Sequence, residues 1–221
     1  MKITISDQIK AACHGYRMIK IECDVANSPT PEALRTEMTR LTESIAELMT
    51  IEEINRRPAI AATRAVYKSC GKDPNRYRPS QEQLNRRVVR GLGLYTIDSI
   101  VDAFNLLSLK SGYSIGAFDI NKIEGDALTL GVGLEGEPYE GIGRGALNIA
   151  GIPVIRDSVG GIGTPTSDNE RTKVTPETSR VLVCIHIFAE EMPVEATVEE
   201  ATRLLTDYCN ATDINVEIIT A

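Results

Sequence analysis

The octapeptide VLVCIHIF, residues 181–188, is apolar at every position except His186. Side chains of an extended strand alternate between two faces, so a run that is apolar throughout must be covered on both of them. A chain carrying such a strand cannot be a pure helical bundle, nor a sheet with one wet face. A central place in the sheet is therefore expected for it. The shortness of the run and its Val and Ile residues favour strand over buried helix.

Material for the layers lies on the N-terminal side. Residues 2–5 and 17–25 (RMIKIECDV) have strand patterns, the second with alternating apolar and polar positions. The stretch NSPTPEALRTEMTRLTESIAELMT reads as a helix, with Pro31 near its start and Leu34, Met38, Leu41, Ile45 and Leu48 at helical spacing. Helical pattern continues over 51–70, where Pro58 opens a new segment because proline fits a first turn and not an interior. The turn-rich GKDPNRYRPS leads into another helix. There Ser80 is a predicted N-cap with Gln83 completing a capping box, and Leu84, Val88 and Leu92 form the apolar stripe. Arg86 and Arg90, four apart, project together from roughly the opposite face, and Gly91 and Gly93 end the helix. IDSIVDAFNLLSLKSG is a further amphipathic helix ending near Gly112.

From Gly116 the chain turns to glycines, turn dipeptides and short β-type runs. TVEEATRLLTDYCN reads as a C-terminal helix capped by Thr197 with Glu200, and INVEIIT closes the chain as a strand. Helices followed by a mixed sheet place the chain in the α/β class, as a mixed α+β fold. With 221 residues and no repeat or linker, a single compact unit is expected, in which 1–55 form a strand–helix extension packed on a core built by 56–221.

The chain is acidic, with a formal net charge of −7, yet between Arg56 and Arg90 ten Lys or Arg residues face only two acids, Asp73 and Glu82. Five of those bases, Arg76, Arg78, Arg86, Arg87 and Arg90, fall in RYRPSQEQLNRRVVRGLG, residues 76–93. Charge of one sign gathered on a body of the other suggests a local anion-binding face. The acidic remainder argues against indiscriminate affinity for nucleic acid. No segment approaches the roughly 20 apolar residues that span a bilayer, and the polar N-terminus has no signal-like run, so a cytoplasmic protein without membrane contact is expected. Five cysteines at irregular spacing give neither a disulfide framework nor a zinc pattern, and His14 beside Cys13 does not make a metal site. No metal and no cofactor are expected.

The glycines do not form a nucleotide loop. GVGLEG fits a loose Gly-x-Gly-x-x-Gly pattern but runs into EPYEG instead of opening a helix, and no Gly-Lys-Ser/Thr follows any other loop. Only two histidines are present, and His186 lies within the buried strand, where a hydrogen-bonded core residue is the expected role. The segment SDNERTKVTPET, residues 167–178, is polar, rich in hydroxyls and charges, and leads directly into the most hydrophobic strand. A polar loop fixed to a rigid element is well placed for ligand contacts.

Four ordered segments, RYRPSQEQLNRRV, IDSIVDAFNLLSL, GAFDINKIEGD and ERTKVTPETSRVL, together resemble the B3/B4 domain of the bacterial phenylalanyl-tRNA synthetase beta subunit, and more closely its stand-alone relatives. The resemblance covers roughly 56–221. It implies a mixed α/β fold with a pocket between its two halves, which in the synthetase hydrolyses the ester of tyrosine wrongly attached to the phenylalanine tRNA. The other domains of that subunit are not seen here, so the chain is not expected to aminoacylate tRNA alone.

Under this resemblance Arg76, Arg78, Arg86, Arg87 and Arg90 would meet phosphates of a tRNA acceptor end, positioning it without reading sequence. The family's PLHAFD corresponds to SIGAFD, residues 114–119, so Gly116 replaces the pocket histidine. The family's GGE corresponds to DNE, keeping its carboxylate as Glu170, which in the synthetase selects the phenolic hydroxyl of tyrosine. Thr172, Thr175 and Thr178 line the same segment, and Tyr113, Ser114, Asn105 and Asp119 flank the other wall. The resemblance thus implies either a trans-acting editing factor that deacylates mischarged aminoacyl-tRNA, or a non-catalytic module for tRNA or an amino-acid-like ligand. A protein acting on a free amino acid or small ester is the reading outside RNA. No catalytic residue is assigned.

Overall fold

The computed structural model describes all 221 residues. Its centre is β9 (Arg180–Ile187), which pairs antiparallel with β2 (Arg17–Asp24) on one side and β3 (Ser114–Asp119) on the other. The C-terminal strand β10 (Thr212–Thr220) adds to β2, giving the order β10-β2-β9-β3. The expected alternation divides β9 cleanly. Val181, Val183, Ile185 and Ile187 enter one core with residues of helices α2 (Glu32–Leu48), α6 (Ser99–Ser111) and α7 (Val194–Cys209), while Leu182 and Cys184 enter a second. His186 shares the second face, buried, with Nδ1 2.7 Å from Tyr16 Oη.

What covers the second face is another sheet, where a single mixed one was expected. The glycine-rich region supplies β4 (Ala127–Val132), β7 (Pro153–Arg156) and β8 (Gly161–Gly163), and β1 (Lys2–Ile5) pairs parallel with β4. Leu128, Leu130, Ile155 and Ile162 of this sheet pack on Leu182, Cys184 and Phe118 of the first. Burying each such side chain contributes about 1.5–3 kcal/mol, which is why these short runs hold as strands despite the glycines between them. A two-residue pair, β5 (Glu140–Gly141) and β6 (Gly145–Ala146), is bridged through Gly141 to Asn169. The result is three layers: helices, a four-stranded antiparallel sheet, and a four-stranded mixed sheet. Segment 1–55 contributes a strand to each sheet, together with α1 (Asp7–Ala12), α2 and the short α3 (Ile51–Ile54).

Two helix starts differ from expectation. Helix α5 (Ser80–Val89) has Pro79 at its N-cap, and Ser80, already helical, donates its N–H to Pro165 O at 2.7 Å and lies 2.8 Å from Ser114 through its hydroxyl. Tertiary partners outcompete the local cap. Likewise α7 begins at Val194 behind Pro193, and Thr197 Oγ donates back to Pro193 O at 2.9 Å. Helix α4 (Pro58–Ser69) starts at its proline as expected, and α6 ends on Gly112 at φ 75°, a left-handed cap that glycine adopts without steric cost. No helix is long and apolar enough to cross a membrane.

Candidate functional site

A cavity of about 700 Å³ lies between the helical first half and the strand-rich second half. Its walls are α5 (Ser80, Leu84), α6 (Val101, Phe104, Asn105, Ser108), the free edge of β3 (Ile115, Ala117) and the loop segments 164–168 and 173–177. Most of the lining is apolar. Three carboxylates reach the lining, Asp98, Asp168 and Glu177. Asp168 is held at the edge of β3: its Oδ2 accepts the Ala117 N–H at 3.1 Å, a donor left free because β3 is an edge strand, while Oδ1 lies on the side of Gly116 and Gly163. Burial pushes the Asp168 carboxyl up to about 7, against the lowering effect of the Ala117 N–H. Near neutral pH it therefore exists both as acid and as base.

A groove of about 470 Å³ adjoins the cavity, and Ser80, Leu84 and Asn105 line both. Its walls carry Arg78, Arg86, Arg87 and Arg90, with Arg144 joining from the second half of the chain. The cationic surface is thus continuous with the apolar hollow.

The residues singled out in the sequence divide into three groups. Thr175 and Asn105 line the cavity. Tyr113, Ser114, Thr172, Thr178 and Asp119 are buried and occupied elsewhere. Tyr113 Oη donates to Met192 O at 2.6 Å and accepts Glu191 N at 2.9 Å. Ser114 Oγ donates to Pro165 O at 2.8 Å, Thr172 packs with its hydroxyl toward Ile162 O, and Thr178 Oγ1 donates to Asp119 Oδ2 at 2.9 Å. These five hold the walls in place. Gly116 and Glu170 do not line the cavity.

The reason for Gly116 is the pleat. Ile115 and Ala117 point into the cavity, so Gly116 and Phe118 point the other way, opposite Cys184 and Leu182 of β9 and between the two sheets. A Cβ on Gly116 would lie 2.6 Å from Phe118 Cζ, and one on Gly163 would lie 2.3 Å from the same atom. The Phe118 ring fills the room that both glycines leave, so Gly116 does not widen the cavity. Glu170 heads a short 3-10 turn (Glu170–Thr172) and ion-pairs with Lys173, which does line the cavity. The acids that reach the cavity lining are Asp168, two residues earlier, Glu177 of the same segment, and Asp98 at the start of α6. The polar segment 167–178 contains both Asp168 and Glu177, and the Gly163–Asp168 and Ala117–Asp168 contacts fix Asp168 against the edge of β3.

The family model of the B3/4 domain matches residues 62–210. The chain belongs to the B3/4 domain family. Among solved structures it is similar to an N-terminal fragment of the phenylalanyl-tRNA synthetase beta-subunit from Pyrococcus horikoshii, at 14% identity and a TM-score of 0.49, covering 96% of this chain and 50% of that one. The chain therefore spans about half the length of that fragment. No curated protein matches.

In this B3/4 chain the arginines have unequal freedom. Glu82, fully buried, accepts Arg64 Nη1 at 2.7 Å and Arg86 Nε at 2.8 Å, with Arg78 Nε 3.6 Å away. Arg86 is thus fixed in the wall, while Arg78 keeps about half its side chain exposed. Arg87 stacks on Tyr95 at 3.7 Å from the ring centre, and Arg90 is exposed. Arg76 lies outside the groove lining, 5.9 Å from the Tyr77 ring centre. Sequence reasoning missed Arg144, whose Nη2 donates to Gln83 Oε1 at 2.5 Å across the groove, because nothing local to GIGRGA links it to α5.

Proposed function

We propose that this B3/4 protein binds the 3′ end of an aminoacylated tRNA, with acceptor phosphates in the arginine groove and the aminoacyl group in the cavity, and hydrolyses the ester in trans. The observation that carries the reading is the shared rim of Ser80, Leu84 and Asn105, which joins a polycationic surface to an apolar hollow holding a carboxylate. A polyanion ending in a small, partly apolar group is the ligand class that suits both compartments at once. The resemblance to a synthetase editing domain supports the same substrate class.

In the hydrolysis, water attacks the ester carbonyl and Asp168 takes its proton. The new carbon–oxygen bond forms as the bond to the ribose oxygen breaks, and the proton passes to that leaving oxygen. The free amino acid and an uncharged tRNA end result. Asp168 is suited to this exchange because its acid and base forms are both populated near neutral pH.

A panel of mischarged tRNAs incubated with the full chain tests the proposal, with release of free amino acid expected for at least one. Arg78→Glu with Arg90→Glu is expected to weaken tRNA binding by on the order of 10–100-fold and to flatten the salt dependence of log Kd by about 1–2. Arg76→Ala, outside the groove, should change little. Binding without turnover of any ester would assign the protein to the non-catalytic alternative, and unchanged affinity in the double variant would remove the groove from the site.

A further inference from the structure

The connection between α5 and α6, residues 91–97, carries three large apolar side chains in the open. Leu92 is 58%, Tyr95 64% and Ile97 58% exposed. The segment leaves α5 through Gly91 and Gly93, both at positive φ, and Leu92 and Tyr95 line the groove while Ile97 lines the cavity. The Arg87 guanidinium carbon lies 3.7 Å from the centre of the Tyr95 ring, and Arg87 Nη1 also donates to Tyr95 Oη at 2.9 Å. Arg87 Nη2 donates to Leu92 O at 3.2 Å, so the guanidinium is clamped and the ring over it is oriented. One face of the ring meets the cation, and the exposure of the residue leaves the ring open to solvent beside Arg78, Arg90 and Arg144.

Three exposed apolar side chains within six residues form a patch and not a scatter, and such a patch beside charged residues marks an interaction surface. A flat, preorganised ring within a groove of cations is what an unpaired nucleotide needs: phosphate to the arginines, base to the π-face. Duplex RNA offers no free base face, because its bases are already stacked. We infer that Tyr95 is a stacking platform for an unpaired nucleobase, so that the groove selects a single-stranded 3′ end over a helical one. This inference rests on the reading that the groove takes tRNA, and it adds which part of the tRNA is gripped before the cavity.

The chain has no tryptophan, so Tyr95→Trp supplies a single indole emitter. Its fluorescence is expected to be quenched by an intact tRNA and left unchanged by the same tRNA trimmed of its unpaired 3′ nucleotides. Tyr95→Ala should weaken binding of intact tRNA by about 10–100-fold, while Tyr95→Phe, which keeps the ring and loses only the hydroxyl bond to Arg87, should stay within about 3-fold of the unmodified protein. Because the residue is exposed, all three variants should melt like the parent. If Tyr95→Ala binds intact tRNA as the parent does, or if Tyr95→Phe falls as far as Tyr95→Ala, the stacking role is overturned while tRNA binding stands. If the unmodified chain binds no tRNA, both this inference and the functional reading fall.

Discussion

Asp168→Asn is expected to abolish ester turnover, by about 10²–10⁴-fold, while leaving tRNA binding intact and making the protein more stable above neutral pH. The two outcomes have one cause. In the unfolded chain an aspartate loses its proton near 3.8, whereas in the fold burial holds that proton until about 7. Between those values the folded state binds more protons than the unfolded one, so stability falls as pH rises through this window and then levels off. At about 1.4 kcal/mol per pKa unit, and discounting for the side of the carboxylate that meets the cavity, the ionised group costs roughly 2–4 kcal/mol at pH 8. Asparagine removes that cost, since its amide oxygen can still accept the Ala117 N–H. Urea melts of both proteins from pH 4 to 8 measure it: the advantage of the variant should be small at pH 4, grow through neutrality and be flat above. Turnover of the unmodified protein should rise over the same upper range as the base form fills. Equal stabilities at pH 8 would show that Asp168 is solvated and ordinary, and would take away its chemical role.

Gly116→His, which restores the residue that the resemblance assigns to this position, is expected to cripple the fold instead of restoring a site. The first atom added would meet Phe118 Cζ at 2.6 Å and Asp168 Oδ1 at 3.0 Å. Phe118 is fully buried against Leu182, Cys184 and Ile162 and has nowhere to turn. Overpacking by single methyl groups costs about 1–3 kcal/mol, so Gly116→Ala should fall in that range and the imidazole beyond it. Ala117→Val makes the contrast, because this side chain points into the cavity. It should melt within about 1 kcal/mol of the parent, valine being at home in a strand, while impairing turnover. A Gly116→His protein as stable as the parent would mean that position 116 faces the cavity after all.

These two neighbours show where sequence reading ends. SIGAFD is legible as a strand, and its resemblance to a known segment is legible too, but neither says which face of the strand meets the ligand. A shift of one residue in register exchanges every side chain between faces, and the register is set by the pairing of Gly116 with Cys184 and Ala117 with Val183 across β9. The same holds for the loop before β9. Its polar character marks it as a place for ligand contacts, yet Asp168, Asn169 and Glu170 are interchangeable on paper. The backbone bridge of Asp168 to Gly163 and the free edge N–H of Ala117 bring Asp168 to the cavity wall and leave Asn169 and Glu170 outside its lining.

Residue order alone determined the local and near-local features: a strand buried on both faces, helices opened by Pro31 and Pro58 and closed at Gly112, and a cationic stretch on an acidic chain. Such features depend on periodicity, backbone chemistry and charge, which are properties of neighbours along the chain. Tertiary structure decided that a second sheet covers one face of β9, that Glu82 immobilises Arg86, that Arg144 completes the groove and that Asp168 reaches the cavity wall. Each of these joins residues that lie apart in the chain or selects among adjacent ones by strand register, and only the closing of long loops around a shared core brings those contacts into being.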